Sequence, residues 1–449
     1  MTLLFAPHSE KDKQEMLEFL GLKSIDDLFA DIDEKLVLRT PLNLPSSMSE
    51  IELTRHMLML SEKNGEVLHK SCFIGAGAYN HFIPSVVNHI VSRAEFYTSY
   101  TPYQPEVSQG MLQAIFEYQT MIAELVDMEV VNASVYDGAT ALAEAVIMVS
   151  NITGKKEIII SSAVHPEYKE VVKTYCSARE LMLKEVEFCN GVTSLEDLEK
   201  IVSKNSAAVV VQNPTFFGCI ENLSGIEKIC HEKEILLIVS VVEPTSLGML
   251  KPPGECGADI VTGEGQSFGN PLNYGGPYLG FMGTKNKYVR FFPGRLVGAT
   301  TDAQGRRGYV LTLQAREQHI RRERAFSNIC TNQALNALAT VVYLSLLGKV
   351  GLVELANLCY QKAHYAYDAI AEINGFKPVF VFPFYNEFVF ECPISPRKIN
   401  KQLLKHKIIG GLELERFYPD LKNTMMFCVT ERNSKADIDK LVEVLENIA

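Results

Sequence analysis

Between residues 157 and 262 short apolar runs alternate with polar, helix-like stretches, and this alternation limits the available folds more than any other feature. The runs are Glu157-Ile158-Ile159-Ile160, Leu181 to Phe188, Ala207-Ala208-Val209-Val210-Val211, Ile235-Leu236-Leu237-Ile238-Val239 and Ala258-Asp259-Ile260-Val261-Thr262. Pro166 to Tyr175, Ser194 to Val202 and Ser224 to His231 have helical character, with Ser194 as a cap and Asp197 three residues on. Strands apolar on both faces and separated by helices predict an α/β fold, a largely parallel sheet covered on both sides. Ligands of such sheets collect at the carboxyl ends of the strands. Asn213-Pro214-Thr215, Glu243-Pro244-Thr245 and Gly263 to Ser267 are expected on that edge.

The flanking regions read differently. Residues 1–70 predict a helical arm: Glu15, Met16, Leu17, Phe19 and Leu20 suggest one amphipathic helix, and Ser24-Ile25-Asp26-Asp27 caps a second. Residues 71–330 form the large domain. It includes a helix through Leu112, Ile115, Phe116, Gln119, Ile122 and Leu125, and an alanine-rich helix after Tyr136-Asp137-Gly138. Residues 331–449 predict a smaller α+β domain. Its helices are Asn332 to Leu347, Val350 to Ile373 and Lys435 to Ile448, and its strands are Asn386 to Glu391 and Met425 to Val429.

Charge narrows the partners. Lys plus Arg is 43 against 54 Asp plus Glu, a formal net charge of −11, which disfavours a general nucleic-acid binder. The ten cysteines, Cys176, Cys189, Cys219 and Cys230 among them, lack metal or redox spacing and are expected to be buried free thiols. Met1 to Glu10 has no apolar signal core, and no uninterrupted apolar run nears the ~18 residues that span a bilayer. The expectation is a cytoplasmic protein without membrane, nucleic-acid or metal partners.

The chemistry turns on one position. α/β enzymes that carry pyridoxal phosphate as an imine would place the lysine in the loop after Thr262, and here the residue is Gln266. A carboxamide cannot form that imine. Lys251, Lys285 and Lys287 fit the location less well. Gly138, Ala139 and Thr140 open a helix whose amides suit a phosphate, or equally an ordinary cap, and Asp137 disfavours a second anion there. Glu95 to Gln104 is rich in hydroxyls and rings, suited to a pocket wall or an interface. The arginines from Arg306 to Arg324 read as a solvated helical face with ion pairs or as an anion clamp. His165 is either a ring that stacks on a cofactor or a satisfied structural histidine.

Irregular segments add a resemblance. GAGAYNHFIP (75–84), EFYTSYTPYQPEVSQGMLQAIFEYQT (95–120), NASVYDGATALAEA (132–145), KPPGECGADIVTGEGQSFGNPLNYGGPYLGFM (251–282) and PGRLVGATTDAQGRRGYVLTLQAREQHIRRERAFSNICTNQAL (293–335) resemble the N-terminal-type subunit of the glycine cleavage system P-protein family, over nearly the whole chain from Phe5-Ala6-Pro7. Departures are Asn80, where an acid is common, Val126-Asp127, where Thr-Gly is common, and Phe292 before Pro293.

The resemblance implies a type I pyridoxal-phosphate transferase fold like that of aspartate aminotransferase. It implies glycine decarboxylation, with the aminomethyl group passed to the lipoyl group of H-protein. It also implies a second (beta) subunit that carries the pyridoxal phosphate, in an alpha2-beta2 assembly. Gln266 fits the chain that lacks the lysine, and Ser240-Val241-Val242 offers no aspartate for the pyridine nitrogen. Tyr100, Thr101, Tyr103 and Gln104, with Arg316 and Arg324, are then candidates to complete the partner's active site. The rival expectations are a self-sufficient pyridoxal-phosphate enzyme using another lysine and a purely structural subunit.

Overall fold

The computed structural model describes residues 7–68 and 70–448, so residues 1–6 and 69 of the expected arm lie outside the described part. The chain divides into two units, residues 1–66 and residues 67–449. The first contains the helix Glu10–Leu20 and all but the last two residues of the helix Glu50–Leu68. Ser9 and Asp12 form a reciprocal capping box on the former, and Gly21 ends it in the left-handed region at φ 69°. The expected second helix is only a 3-10 turn, Ile25–Phe29, on which Ser24 and Asp27 form the box.

The second unit is built on a seven-stranded sheet. Its strands are β1 (Val130–Val131), β2 (Glu157–Ser161), β3 (Met182–Val186), β4 (Ser206–Gln212), β5 (Leu236–Val241), β6 (Ile260–Glu264) and β7 (Gly280–Thr284). The order is β1-β7-β6-β5-β4-β2-β3, parallel from β6 to β3 and antiparallel where β7 meets β6 and β1. The two faces feed separate cores, as the period of two requires. Val209, Val211, Leu237, Val239 and Val261 enter one core, and Ile158, Ile160, Ala208, Val210, Ile238 and Ile260 enter the other. β6 runs two residues past the expected end, so Gly263 and Glu264 belong to the strand and not to the loop.

Helices Gln109–Val126, Gly138–Thr153, Pro166–Ala178, Leu195–Ile201 and Leu223–Glu232 alternate with these strands. Leu112, Ile115 and Ile122 are buried on the first of them. Asp127 ends that helix at φ 54°, a conformation that asparagine and aspartate tolerate and glycine adopts freely. A hairpin of β8 (Leu296–Thr301) and β9 (Arg307–Thr312) follows.

The two long helices expected beyond residue 330 are Ala334–Ala371, bent at Gly348 (φ 57°, ψ −168°). By length and composition that helix could cross a membrane, a reading the linear search for apolar runs did not give. Its bend and its buried residues Ala337, Tyr343, Leu355 and Ala363 fit a core helix. The C-terminal residues form an antiparallel sheet of β10 (Lys377–Pro378), β11 (Glu387–Glu391), β12 (Leu412–Glu413) and β13 (Thr424–Cys428), in the order β10-β11-β13-β12. Phe388, Phe390, Met425 and Phe427 pack there with Ile399 and Leu403 of Pro396–Lys405 and Leu441 of Lys435–Glu446.

All ten cysteines are free. Cys176, Cys219 and Cys230 are buried as expected, whereas Cys189 and Cys330 are exposed.

Candidate functional site

The carboxyl ends of the parallel strands form a polar edge whose groups bond to one another. Gln266 lies two residues past β6 and is 2% exposed. Its Oε1 accepts the Tyr79 N–H at 2.8 Å, and its Nε2 donates to the Tyr79 carbonyl at 3.1 Å and to the Asn270 carbonyl at 2.7 Å. The carboxamide thus pairs with a passing backbone as a neighbouring strand would. Gln109 does the same with the N–H and carbonyl of Tyr309, and Gln119 with those of Val297. This recurrence marks Gln266 as a latch: it exchanges water for two complementary backbone groups, each bond contributing about 1 kcal/mol.

The segment it holds, Gly75 to Tyr79, crosses the polar edge. The Ala76 N–H and the Tyr79 hydroxyl both donate to Glu387 of β11, at 2.7 and 2.9 Å. Ala76 also accepts a bond from His165 Nε2 at 2.9 Å. Two glycines allow this approach. A Cβ on Gly75 would lie 2.5 Å from Glu387 Oε1, and one on Gly77 (φ +100°) would lie 2.8 Å from His165 Nε2. His165, 5% exposed, is packed between Tyr168 and Phe216 at centroid distances of 4.9 Å, and its Nδ1 accepts the Glu167 N–H. Burial holds it below the usual imidazole range, hence neutral.

The helix N-terminus at residues 138–140 is already occupied by carboxyl groups. Glu264 Oε2 accepts the Gly138 N–H at 2.9 Å, and Asp137 caps Thr140 at 2.7 Å. Glu264 Oε1 accepts the amides of Leu279 and Gln266. Burial pushes the Glu264 carboxyl up to about 7, against the downward pull of those amides. A Cβ on Gly138 would come within 2.5 Å of the Tyr168 hydroxyl and 3.1 Å of Glu264 Cβ. The sequence reading identified this helix end but missed Glu264. An acid two residues before Gln266, at the end of an apolar strand, was the available signal.

These residues do not fit a pyridoxal phosphate. The amine is absent at 266, the helix amide that would face a phosphate already bonds a carboxylate, and the crossing segment fills the space over Gln266. The three lysines weighed from the sequence lie elsewhere. Lys251 is an exposed partner of Glu255 at 3.0 Å. Lys285 follows the antiparallel β7, which places it at the opposite sheet edge, paired with Asp259 at 2.7 Å. Lys287 stands over the Tyr288 ring.

A second buried cluster adjoins the edge. His81 Nδ1 lies 2.7 Å from Glu431 and its Nε2 lies 3.2 Å from Glu243, which also accepts Ser267 Oγ at 3.0 Å. Both nitrogens face carboxylates, so the ring is an imidazolium. Although burial pulls it down, Glu243 and Glu431 hold it well above the usual range. The ligand atoms of His81, Cys359 and Glu431 lie within 4.8 Å of one another, a metal-type set that metal-motif spacing did not reveal. The imidazolium accounts for it through hydrogen bonds alone.

The remaining candidates stand on an open surface. Tyr100 is 83% exposed; Tyr97, Gln104 and Val107 are also exposed, and Thr101 is half-buried. Gln104 precedes the turn Pro105–Val107 and makes no side-chain capping bond to it. The Tyr103 hydroxyl accepts from the buried Arg295 at 2.8 Å, and the guanidinium lies 4.9 Å from its ring centroid. The basic stretch is not a helical face. It breaks into Gln314–Arg316, Gln318–Arg321 and Arg322–Arg324, with Arg322 at φ 53°. Arg316 donates to the carbonyls of Phe292, Gly294 and Leu313 and so braces the loop. Arg324 is exposed beside Glu323 at 3.8 Å.

Known proteins give this geometry a context. Residues 4–445 match the family model described as glycine cleavage system P-protein. A protein of Desulforamulus reducens described as probable glycine dehydrogenase (decarboxylating) subunit 1 is 52% identical over 99% of this chain and 100% of its own. A Moorella thermoacetica protein of the same description is 49% identical over 99% and 100%. The crystal structure of a glycine decarboxylase (P-protein) of the glycine cleavage system, in inhibitor-bound form, is similar at a TM-score of 0.91 and 41% identity over 100% of both chains. A Burkholderia pseudomallei sphingosine-1-phosphate lyase, at 13% identity and a TM-score of 0.66 over 91% and 92%, shares the fold.

Proposed function

The chain belongs to the glycine cleavage system P-protein family, and from that premise we propose that it is the catalytically incomplete first subunit of a two-subunit glycine decarboxylase. The complex removes the carboxylate of glycine as CO2 and passes the aminomethyl group to the lipoyl arm of H-protein. Pyridoxal phosphate on the second subunit supplies the electron sink for that reaction. This chain contributes a rigid body and a wall of the partner's active site. The observation that carries the reading is Gln266, whose carboxamide is fully spent on the backbone of Tyr79 and Asn270.

The exposed side chains of Tyr100, Tyr103 and Gln104, with the half-buried Thr101 beside them, support the second role. A tyrosine that is 83% exposed in the single chain gains most from burial against another chain while its hydroxyl keeps a hydrogen bond. An alpha2-beta2 assembly in the cytoplasm is the arrangement this reading adopts. Co-purification of the two subunits, with glycine–bicarbonate exchange assayed for each alone and for the mixture, tests it. Exchange only in the mixture is expected. Full exchange by the second subunit alone would reduce this chain to a structural accessory.

A further inference from the structure

Glu317 is 9% exposed and lines a pocket of about 470 Å³ with Tyr103, His319, Arg322 and Cys330. Its Oε1 is buried without a hydrogen-bond donor, and its Oε2 stands 3.7 Å from His319 Nδ1, beyond hydrogen-bond reach. The Arg316 guanidinium next to it in sequence feels the carboxylate's charge but spends its hydrogen bonds on the carbonyls of Phe292, Gly294 and Leu313. Beside the carboxylate, Tyr103 is fixed through its hydroxyl by Arg295 and packs edge-on to His319 at 6.3 Å. A buried carboxylate oxygen with free lone pairs, next to an aromatic ring held in place, is an acceptor set that receives a cationic nitrogen.

We propose that Glu317 is a binding residue of the assembled enzyme, taking a cationic nitrogen group into the Tyr103 pocket. This rests on the functional reading above, which places Tyr103 at the partner's active site. The group is either the amino group of the substrate or a lysine or arginine side chain of the second subunit. Both present the same chemistry to the carboxylate, and experiment separates them.

The test is Glu317→Gln, nearly isosteric and uncharged, in the reconstituted two-subunit complex. It has two arms: KM and kcat for glycine in the exchange reaction, and the dissociation constant between the subunits. A rise of about tenfold or more in KM, with kcat within about threefold and assembly unchanged, assigns the cation to the substrate. A similar rise in the dissociation constant, with KM unchanged in the fully assembled enzyme, assigns it to the partner. Should Glu317→Gln lose the wild-type circular dichroism, Glu317→Asp, which keeps the charge and shortens the reach, is read in the same arms. Changes below about twofold in both arms overturn the proposal. Absence of exchange with two wild-type chains would instead sink the reading of the reaction, and the dissociation arm would still decide Glu317.

Discussion

The sheet's carboxyl edge and the surface at residues 97–107 and 314–330 are opposites within one chain. At the edge, Gln266, Glu264, His165 and Glu387 are at most 5% exposed, and all four bond to other groups of the same chain. On the surface, Tyr97, Tyr100 and Val107 are 69–83% exposed, and Glu317 retains an oxygen without a donor. The charged and amide groups of this edge are paired within the chain and have become core, and only hydroxyls such as those of Ser162 and Ser240 are left without a partner there. On the function proposed above, the exposed rings and the carboxylate oxygen without a donor belong to a site completed by another molecule. The comparison teaches that position 266 is no vacancy: the Gln266 carboxamide fills it as a latch on the Tyr79 backbone.

The sharpest way to break the contrast is Gln266→Lys. It buries an ammonium where the latch was and severs the pairing with Tyr79. A stability loss of about 3–5 kcal/mol is expected in denaturant unfolding, with no visible imine absorbance on adding pyridoxal phosphate. An imine formed without loss of stability would mean that the edge is still a cofactor pocket.

His81→Gln should cost about 3 kcal/mol, because it leaves Glu243 and Glu431 without their shared cation. The folded imidazolium is held above its unfolded value, so its contribution is fully present below pH about 6.5 and is lost as pH rises through the elevated folded value. The difference in melting temperature between wild type and variant should therefore narrow at alkaline pH. A difference that widens there would contradict the clamp.

Gly138→Ala probes how tightly the helix end is filled. A methyl 2.5 Å from the Tyr168 hydroxyl should destabilise by about 1–3 kcal/mol, and a neutral melting temperature would show the edge to be looser than described. Smallest in stability and largest in activity are the surface tyrosines. Tyr103→Phe loses the bond from Arg295, about 1 kcal/mol, and Tyr100→Phe should stay within about 0.5 kcal/mol of wild type. Both should lower exchange by the assembled enzyme, and normal exchange in both would remove this surface from the reaction.

Much of this was legible in the sequence. The strands Glu157–Ser161, Ser206–Gln212 and Leu236–Val241 announce themselves because burial on both faces demands continuous apolar runs. A cap such as Ser194 uses a side-chain oxygen at a fixed spacing. The end of β6 was misplaced because Gly263 and Glu264 have poor strand propensity, and their pairing with Phe281 and Gly280 overrides it. The latch was invisible for another reason. Gln266 and Tyr79 are 187 residues apart, and nothing local to either marks the pairing. Gln119 was read as part of an apolar stripe for the same cause, since its partner is the backbone of Val297. The basic stretch misled because its helical spacing takes no account of the left-handed Arg322 and of the carbonyls that hold Arg316.

The central claim is that the cofactor chemistry of the complex resides on the other chain. Borohydride reduction of the assembled two-subunit enzyme, followed by peptide mapping, tests it most directly. The account predicts a pyridoxyl-lysine in peptides of the second subunit and none in peptides of this chain. A pyridoxyl-lysine at Lys251, Lys285 or any other position of this chain would contradict it.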